Sequence, residues 1–229
     1  MITNLSSDAA VVGRAIVWGG GLAAQQRDDV FESTLFAQAA ADKQHSQKSE
    51  KEALAWYNIY THTLGSIGWV VQQYSFTEMK YSHAQGSVDN TVLDSFAKDD
   101  SVDKDLFSSI TKGLLAFAHA GKDSNAEQVF NDASITSSKF ASFQIVVAST
   151  DGDDVILTLW AFFYSSDQEI GEALWYSWKD ATLSMKSAKV VMTLNSGIYN
   201  QVRGIIHDKL NQAGKLRLLV PLKAPAALE

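Results

Sequence analysis

A serine and a lysine three residues apart, Ser109-Ile-Thr-Lys112, match the S-x-x-K spacing in which a lysine amine can activate a serine hydroxyl. The partner motifs of that chemistry, S-D-N and K-T-G, do not occur in the chain, so this pair reads as one face of a solvated helix. Asp151, Asp153 and Asp154 surround Gly152 and offer hard oxygen ligands of the kind calcium takes. A calcium loop needs a further carboxylate downstream, and Asp-Gly is also a preferred hairpin turn, which is the reading adopted. His45, His62, His83, His119 and His207 are scattered, and no two are four residues apart, so no helical metal pair forms. Gly19-Gly20-Gly21 lacks the Lys-Ser/Thr that follows a phosphate-binding loop and reads as a joint. There is no G-x-S-x-G, Walker, H-E-x-x-H or G-x-G-x-x-G motif. No catalytic, metal or cofactor site is expected.

The informative residues are aromatic. Trp160, Phe162, Phe163, Tyr164, Trp175, Tyr176 and Trp178 fall close together, after an apolar hairpin. In that hairpin Phe143, Ile145 and Val147 alternate with Gln144, Val146 and Ala148. Across the turn Leu157, Leu159, Ala161 and Phe163 alternate with Ile156, Thr158, Trp160 and Phe162. Both faces are largely apolar, whereas a sheet with one wet face alternates cleanly. This sheet therefore needs cover on both sides. Cross-strand aromatic packing accounts for the cluster. Trp and Tyr also favour the headgroup region of a membrane, and strands of this length can span a bilayer when tilted. On that reading lipid contact falls to Trp160, Phe162, Trp175 and Trp178, with Val146 and Leu157 inside the hairpin.

The elements that hold these residues follow from patterning. Residues 28 to 64 read as helix, broken over Asp42 to Lys51 and ended by Gly65 and Gly68. Trp69 to Tyr81 is β-branched and aromatic enough for a strand, with a continued helix as the alternative. Ser87 caps a helix through Phe96, Ser101 caps one through Ala118, and Ser124 with Glu127 forms a capping box over Val129 and Phe130. Strands are expected at Lys139–Ser149, Asp154–Tyr164, Glu172–Asp180 and Ala188–Asn195. Ser196 then caps a helix with Ile198, Val202, Ile205, Ile206 and Leu210 on one face, and Leu216–Leu219 forms a last strand. The sum is a single α/β (α+β) domain over residues 1–222, with a helical first half and a mainly antiparallel sheet of four to six strands between helical layers. Residues 223–229 read as a flexible tail whose Leu228-Glu229 ending has the form of a vector scar.

Composition agrees. The chain has 229 residues, 46% of them hydrophobic, enough for one sizeable core and incompatible with disorder. Lys and Arg number 19 against 26 Asp and Glu, which disfavours nucleic acid as a partner. There is no cysteine, which excludes disulfides and thiolate chemistry. Both prolines, Pro221 and Pro225, lie near the end, as long helices and central strands require. The N-terminus has no basic n-region, so the protein is expected to be made soluble and, if released, to leave by a non-classical route.

The order of elements from Phe143 to Ala213 resembles the Cyt-type cytolytic δ-endotoxins and related cytolysins. The resemblance runs from the hairpin Phe143-Gln-Ile-Val-Val-Ala-Ser-Thr-Asp-Gly to Phe163, through Ala173 to Trp178, to Val190-Val-Met-Thr-Leu194 and its closing helix. It implies a soluble protoxin-like monomer or dimer that binds phospholipid, with helical layers swinging away and strands assembling in the membrane. The expectation is a non-enzymatic, membrane-active virulence or defence protein with a phospholipid membrane as partner and homo-oligomers allowed. Two rival readings stay open: a soluble protein-binding or assembly module, and an enzyme whose site is assembled from distant residues.

Overall fold

The computed structural model describes residues 7–81 and 85–223, so His83 and the tail from residue 224 lie outside the described residues. The chain opens with two short strands, β1 (Ala9–Val12) and β2 (Ala15–Trp18), joined by a tight turn in which Gly13 has φ +54°. Every residue of both is buried except Trp18, which is half-buried. Gly19-Gly20-Gly21 turns the chain from β2 into α1 (Ala24–Asp42), consistent with a joint. After the break at Lys43–Ser49, Ser49 caps α2 (Glu50–Ser66) by accepting from the Glu52 N–H. The strand β3 (Trp69–Tyr81) follows, then β4 (Gln85–Ser87) and three helices: α3 (Val88–Ala97), α4 (Lys104–Ala120) and α5 (Asn125–Ser134). The second half holds β5 (Ile135–Ser137), β6 (Phe140–Asp151), β7 (Asp154–Ser166), β8 (Ser177–Lys179), β9 (Leu183–Leu194), α6 (Ser196–Gln212), a 3-10 turn at Leu216–Leu218 and β10 (Leu219–Leu222).

Eight strands form one sheet in the order β10-β1-β2-β6-β7-β9-β3, with β5 beside β6, while β4 and β8 pair separately. Every pairing in the large sheet is antiparallel except β2 with β6. The α/β class, the single domain and the helical first half are as expected, but the sheet is wider. Its extra members are the four-residue strands β1 and β2 and the three-residue β5, too short for a two-residue period to stand out.

Two helical layers cover the sheet. Val146, Ala148, Leu157, Leu159, Ala161, Phe163, Val190 and Met192 point into a core with α1, α2 and α6. Phe143, Ile145, Val147, Trp160, Phe162 and Tyr164 point into a second core with α3, α4, α5 and the segment 170–181. The two-faced apolar pattern of the hairpin is thus satisfied on both sides.

Several local expectations are corrected. Asp103, not Ser101, caps α4 by accepting from the Leu106 N–H at 2.8 Å, and Asn195, not Ser196, caps α6. Ser87 sits at the head of α3 without a side-chain cap. The Ser124 hydroxyl accepts from the Glu127 N–H, while Glu127 accepts from Asp123 instead of the cap residue. The strand expected at Glu172–Asp180 shrinks to β8, because its backbone bonds to side chains: the Asn131 amide oxygen accepts from the Ala173 N–H and Tyr164 donates to the Ala173 carbonyl. In α6, Tyr199, Ile206 and Leu210 are the buried face, and Ile198 and Ile205 are exposed. β9 begins five residues earlier than expected, and the last strand starts at Leu219, after the 3-10 turn.

Candidate functional site

The hairpin β6–β7 lies at the centre of the sheet and gives one face to each of the two cores. Its two-residue turn, Gly152-Asp153, joins Asp151 opposite Asp154, and Gly152 takes φ +60°, which a side chain would strain. The three aspartates are exposed at this turn, and among the described residues no group of three His, Asp or Glu side chains could hold a metal ion. Along the ladder Phe143 lies opposite Phe162 with the rings stacked at 5.2 Å. From above, Phe96 at the end of α3 meets Trp160 edge-on at 5.0 Å and Phe162 at 5.9 Å. Phe130 of α5 reaches Phe143 at 5.9 Å. Such pairs add about 0.5–1.5 kcal/mol each beyond their burial.

Of the six residues expected to touch lipid, five are buried and Trp175 is half-buried. Trp160 and Phe162 are buried under α3, and Trp175 is half-buried, stacked on Phe117 of α4 at 6.0 Å. Trp178 is buried on the same side, its ring 6.5 Å from Tyr176 and so close to Gly86 that a Cβ there would come within 2.4 Å of it. These four share one side of the sheet. Val146 and Leu157 lie on the other, beneath the α1–α2 layer. Apart from Phe163, which faces Tyr57 in the other core, the aromatic cluster therefore forms one continuous layer, while the two aliphatic positions share the core of Phe163.

One polar cluster at the margin of the aromatic face was not picked out by motif. Lys189 of β9 is buried, its ammonium 5.1 Å from the Trp160 ring centroid and 3.1 Å from an Asp99 oxygen, and it also donates to the Ser101 hydroxyl. Ser101 in turn donates to Asp99. Burial pushes the Asp99 carboxyl up, but the hydrogen bonds from Ser101 and Lys189 together outweigh it and hold it below its ordinary value. The cluster walls a cleft of about 610 Å³, with Gln73, Ser75 and Thr77 of β3 opposite. The only signal in the sequence is a lysine inside an apolar strand, Ala188-Lys-Val-Val191.

An enzyme reading requires a carboxylate or histidine within hydrogen-bond reach of a nucleophile, and here Asp99 accepts from the Ser101 hydroxyl. Lys189 donates to Ser101 and Ser101 donates to Asp99, so the three side chains form one chain of hydrogen bonds from β9 to the segment after α3. The motif residues stay apart from it. Lys112 lies over the Trp18 ring at 6.0 Å. His207 meets Glu32 at 2.7 Å, His62 and His119 are at the surface and His45 is half-buried. No described helix is long and apolar enough to cross a membrane.

No protein-family model matches the chain, and no curated protein does. Among solved structures, a delta-endotoxin is similar to it at 13% identity and a TM-score of 0.44, over 87% of this chain and 92% of that one. The Evf virulence factor is similar at 10% identity and a TM-score of 0.34, over 96% and 87%. The resemblance read from the second half is thus met by a delta-endotoxin, and both neighbours are of toxin or virulence type. At these identities and scores neither likeness carries an activity to this chain.

Proposed function

We propose that the chain is a non-enzymatic, membrane-active protein of the cytolysin type, in which the layer α3–α5 leaves the aromatic face and the long strands enter a bilayer. The observation that carries this reading is strand length. β6, β7, β9 and β3 are neighbours of 12, 13, 12 and 13 residues, where a tilted membrane strand needs about 9–11. The first two are apolar over most of both faces, as strands under two covers must be, while β9 interleaves Lys186 and Lys189 with its apolar residues.

Energetics say where such a change can occur. Exposing Phe96, Phe117, Phe130, Phe143, Trp160 and Phe162 to water costs roughly 1.5–3 kcal/mol for each side chain, comparable in sum to the whole stability of a domain, about 5–15 kcal/mol. The face therefore opens only against a surface that takes it up, such as lipid. A net charge of −7 gives no attraction to anionic headgroups, so zwitterionic lipid is the expected target.

Absence of cysteine makes a direct test available. A Cβ placed on Gly113 of α4 lies 3.4 Å from the Trp18 Cβ of β2, close to disulfide geometry. The double variant Gly113→Cys, Trp18→Cys would tether the layer when oxidised. Dye release from phosphatidylcholine vesicles should be lost on oxidation and return with reductant. Release indifferent to the tether would overturn opening of this layer. Wild-type protein that neither floats with vesicles nor releases dye would overturn membrane action altogether. The assembly-module reading keeps one observation in its favour, the exposed apolar residues along β3.

A further inference from the structure

The two ends of the large sheet are built differently. One end is β10, four residues long, with Pro221 in it. A proline removes a backbone donor, and a short proline-bearing edge is a standard protection against strand addition. The other end is β3, thirteen residues long, paired with β9 along one side. Among the described residues no strand pairs with its outer side. Residues 70 to 78 are all exposed, so β3 is only partly covered, with Tyr74 6.3 Å from Tyr57 of α2 on one face and Gln73, Ser75 and Thr77 facing the cleft on the other.

That strand carries large apolar side chains. Val70, Val71, Tyr74 and Phe76 are 49%, 50%, 53% and 40% exposed. From Trp69 to Thr77 there are nine residues without a charge. The devices that usually blunt an edge are charge, proline, a bulge or a cover. β3 has two of them, the charges Glu78 and Lys80 towards its end and a bulge at Gln72, where its register with β9 shifts between Val71 and Gln73. Past that point the stretch Gln73–Thr77 is a regular, uncharged and open template.

We infer that β3 is a self-association edge: two copies of this chain join by antiparallel β3–β3 pairing about a twofold axis at Ser75. Self-pairing suits this strand because no charge opposes a like charge over the uncharged stretch. The side-chain period also selects the register, since a one-residue slip would set the apolar face of one copy against the polar face of the other. Of the registers that keep like faces together, the one centred on Ser75 places Tyr74 opposite the partner's Phe76, twice by symmetry. It places Gln73 opposite the partner's Thr77 on the other face. Centring on Tyr74 sets Phe76 against the partner's Gln72, at the bulge. Centring on Phe76 sets Tyr74 against the partner's Glu78. Aromatic pairs across the seam are the favourable cross-strand combination, so Ser75 is the axis. The interface is isologous, which closes the assembly at two copies and uses up the open edge. The argument holds whether or not the chain acts on membranes.

The cysteine-free chain allows the register to be read directly. Residues facing each other across an antiparallel pair have Cα atoms about 4.5–5.5 Å apart, inside the range a disulfide spans. Ser75→Cys should give a covalent dimer under mild oxidation. Gln73→Cys and Thr77→Cys should each stay uncrosslinked alone and crosslink when mixed. In sedimentation the cysteine-free protein should be a dimer at about 100 µM, well above a micromolar Kd. The double variant Tyr74→Lys, Phe76→Lys changes only exposed positions and should be monomeric with an unchanged circular dichroism spectrum. A monomer at that concentration overturns the inference, as does a dimer indifferent to the two lysines. A dimer that Gln73→Cys crosslinks alone, and Ser75→Cys does not, overturns the register.

Discussion

The two helical layers are attached to the same sheet by different chemistry. The layer α1–α2–α6 is tied by a buried polar network. Arg14, in the β1–β2 turn, pairs with Asp42 at the end of α1 at 2.9 Å, donates to Ser142 of β6 and lies over the Trp56 ring of α2. Gln38 of α1 donates to the Val12 carbonyl and to Gln144 of β6, and Lys186 of β9 pairs with Glu50 of α2. Arg203 of α6 holds Asp29 of α1 with two bonds of 2.7 Å. The layer α3–α5 meets the sheet mainly through rings, and its charged tie to the sheet is the Lys189–Asp99–Ser101 cluster. Directional bonds in a low-dielectric core define one geometry and leave costly orphans when broken. Aromatic burial is non-directional, and another apolar surface can replace it. One sheet thus carries a layer built to stay and a layer that can be exchanged.

Breaking each attachment in turn tests that contrast. The largest loss is expected from Phe96→Ala, which empties the space over Trp160 and Phe162 and should cost about 3–5 kcal/mol in urea unfolding. Hydrogen exchange should rise across α3–α5 well before α1 and α2. Arg14→Ala should cost about 3 kcal/mol, since the buried guanidinium leaves Ser142 and the network around Asp42 short of a donor. Burial already pushes the Arg14 guanidinium pKa down, against the pull of Asp42, so the site is held by its partners. Here the whole domain should loosen together, because the network spans helix, turn and central strand. Equal responses of both layers to Phe96→Ala would remove the distinction between them.

A smaller effect isolates the single tie. Lys189→Met keeps the bulk over Trp160 and frees Asp99, whose side chain is 30% exposed and can be hydrated. The expected cost is about 1 kcal/mol, in the range of a partly exposed pair. If the exchangeable layer is the one that opens on lipid, this variant should release vesicle dye faster than the parent protein. Slower release would place the opening elsewhere.

How much of this was legible depends on what kind of pattern each part leaves. The hairpin's double alternation, Phe143 to Ala148 against Ile156 to Phe163, announced a sheet covered on both sides, because every second residue reports a face. It could not announce which layer is tied and which is not. Gln38 and Gln144 are 106 positions apart in sequence, and neither is unusual in its own segment. The network reads from the sequence as ordinary polar residues until the fold brings them together. Ser101 shows the same limit at short range: its type and place suit a helix cap, yet Asp103 takes the cap and Ser101 turns to Lys189. Trp160 and Phe162 fell on one side of the sheet and Val146 and Leu157 on the other, a split that parity contains, whereas Trp175 lies outside any strand and Trp178 in the separate β8. What parity does not contain is that both sets begin buried.

Acid should separate the layers more gently, because each carries a carboxyl shifted in the opposite direction. Asp99, in the exchangeable layer, sits below the 3.8 of a free aspartate. A depressed folded value means its contribution is complete above about pH 4 and is lost as pH falls through the lowered value. Asp28 of α1 is raised, chiefly by burial and then by Glu32, with Asp29 adding to it and Arg27 and His207 opposing. A raised carboxyl is relatively favoured in its protonated form, so acid relieves it where acid weakens Asp99. Below about pH 4 the contribution of Asp99 to the α3–α5 layer should therefore fall, while Asp28 brings no such loss to α1. Hydrogen exchange corrected for intrinsic rates would show it. The flanking Lys98 and Asp100 line the same cleft and stay in place in the comparison. Asp99→Asn removes the titrating group, so the variant should show a flatter acid response in α3–α5 and no change in α1. If the parent and Asp99→Asn proteins lose α3–α5 protection at the same pH, the tie is not what acid releases.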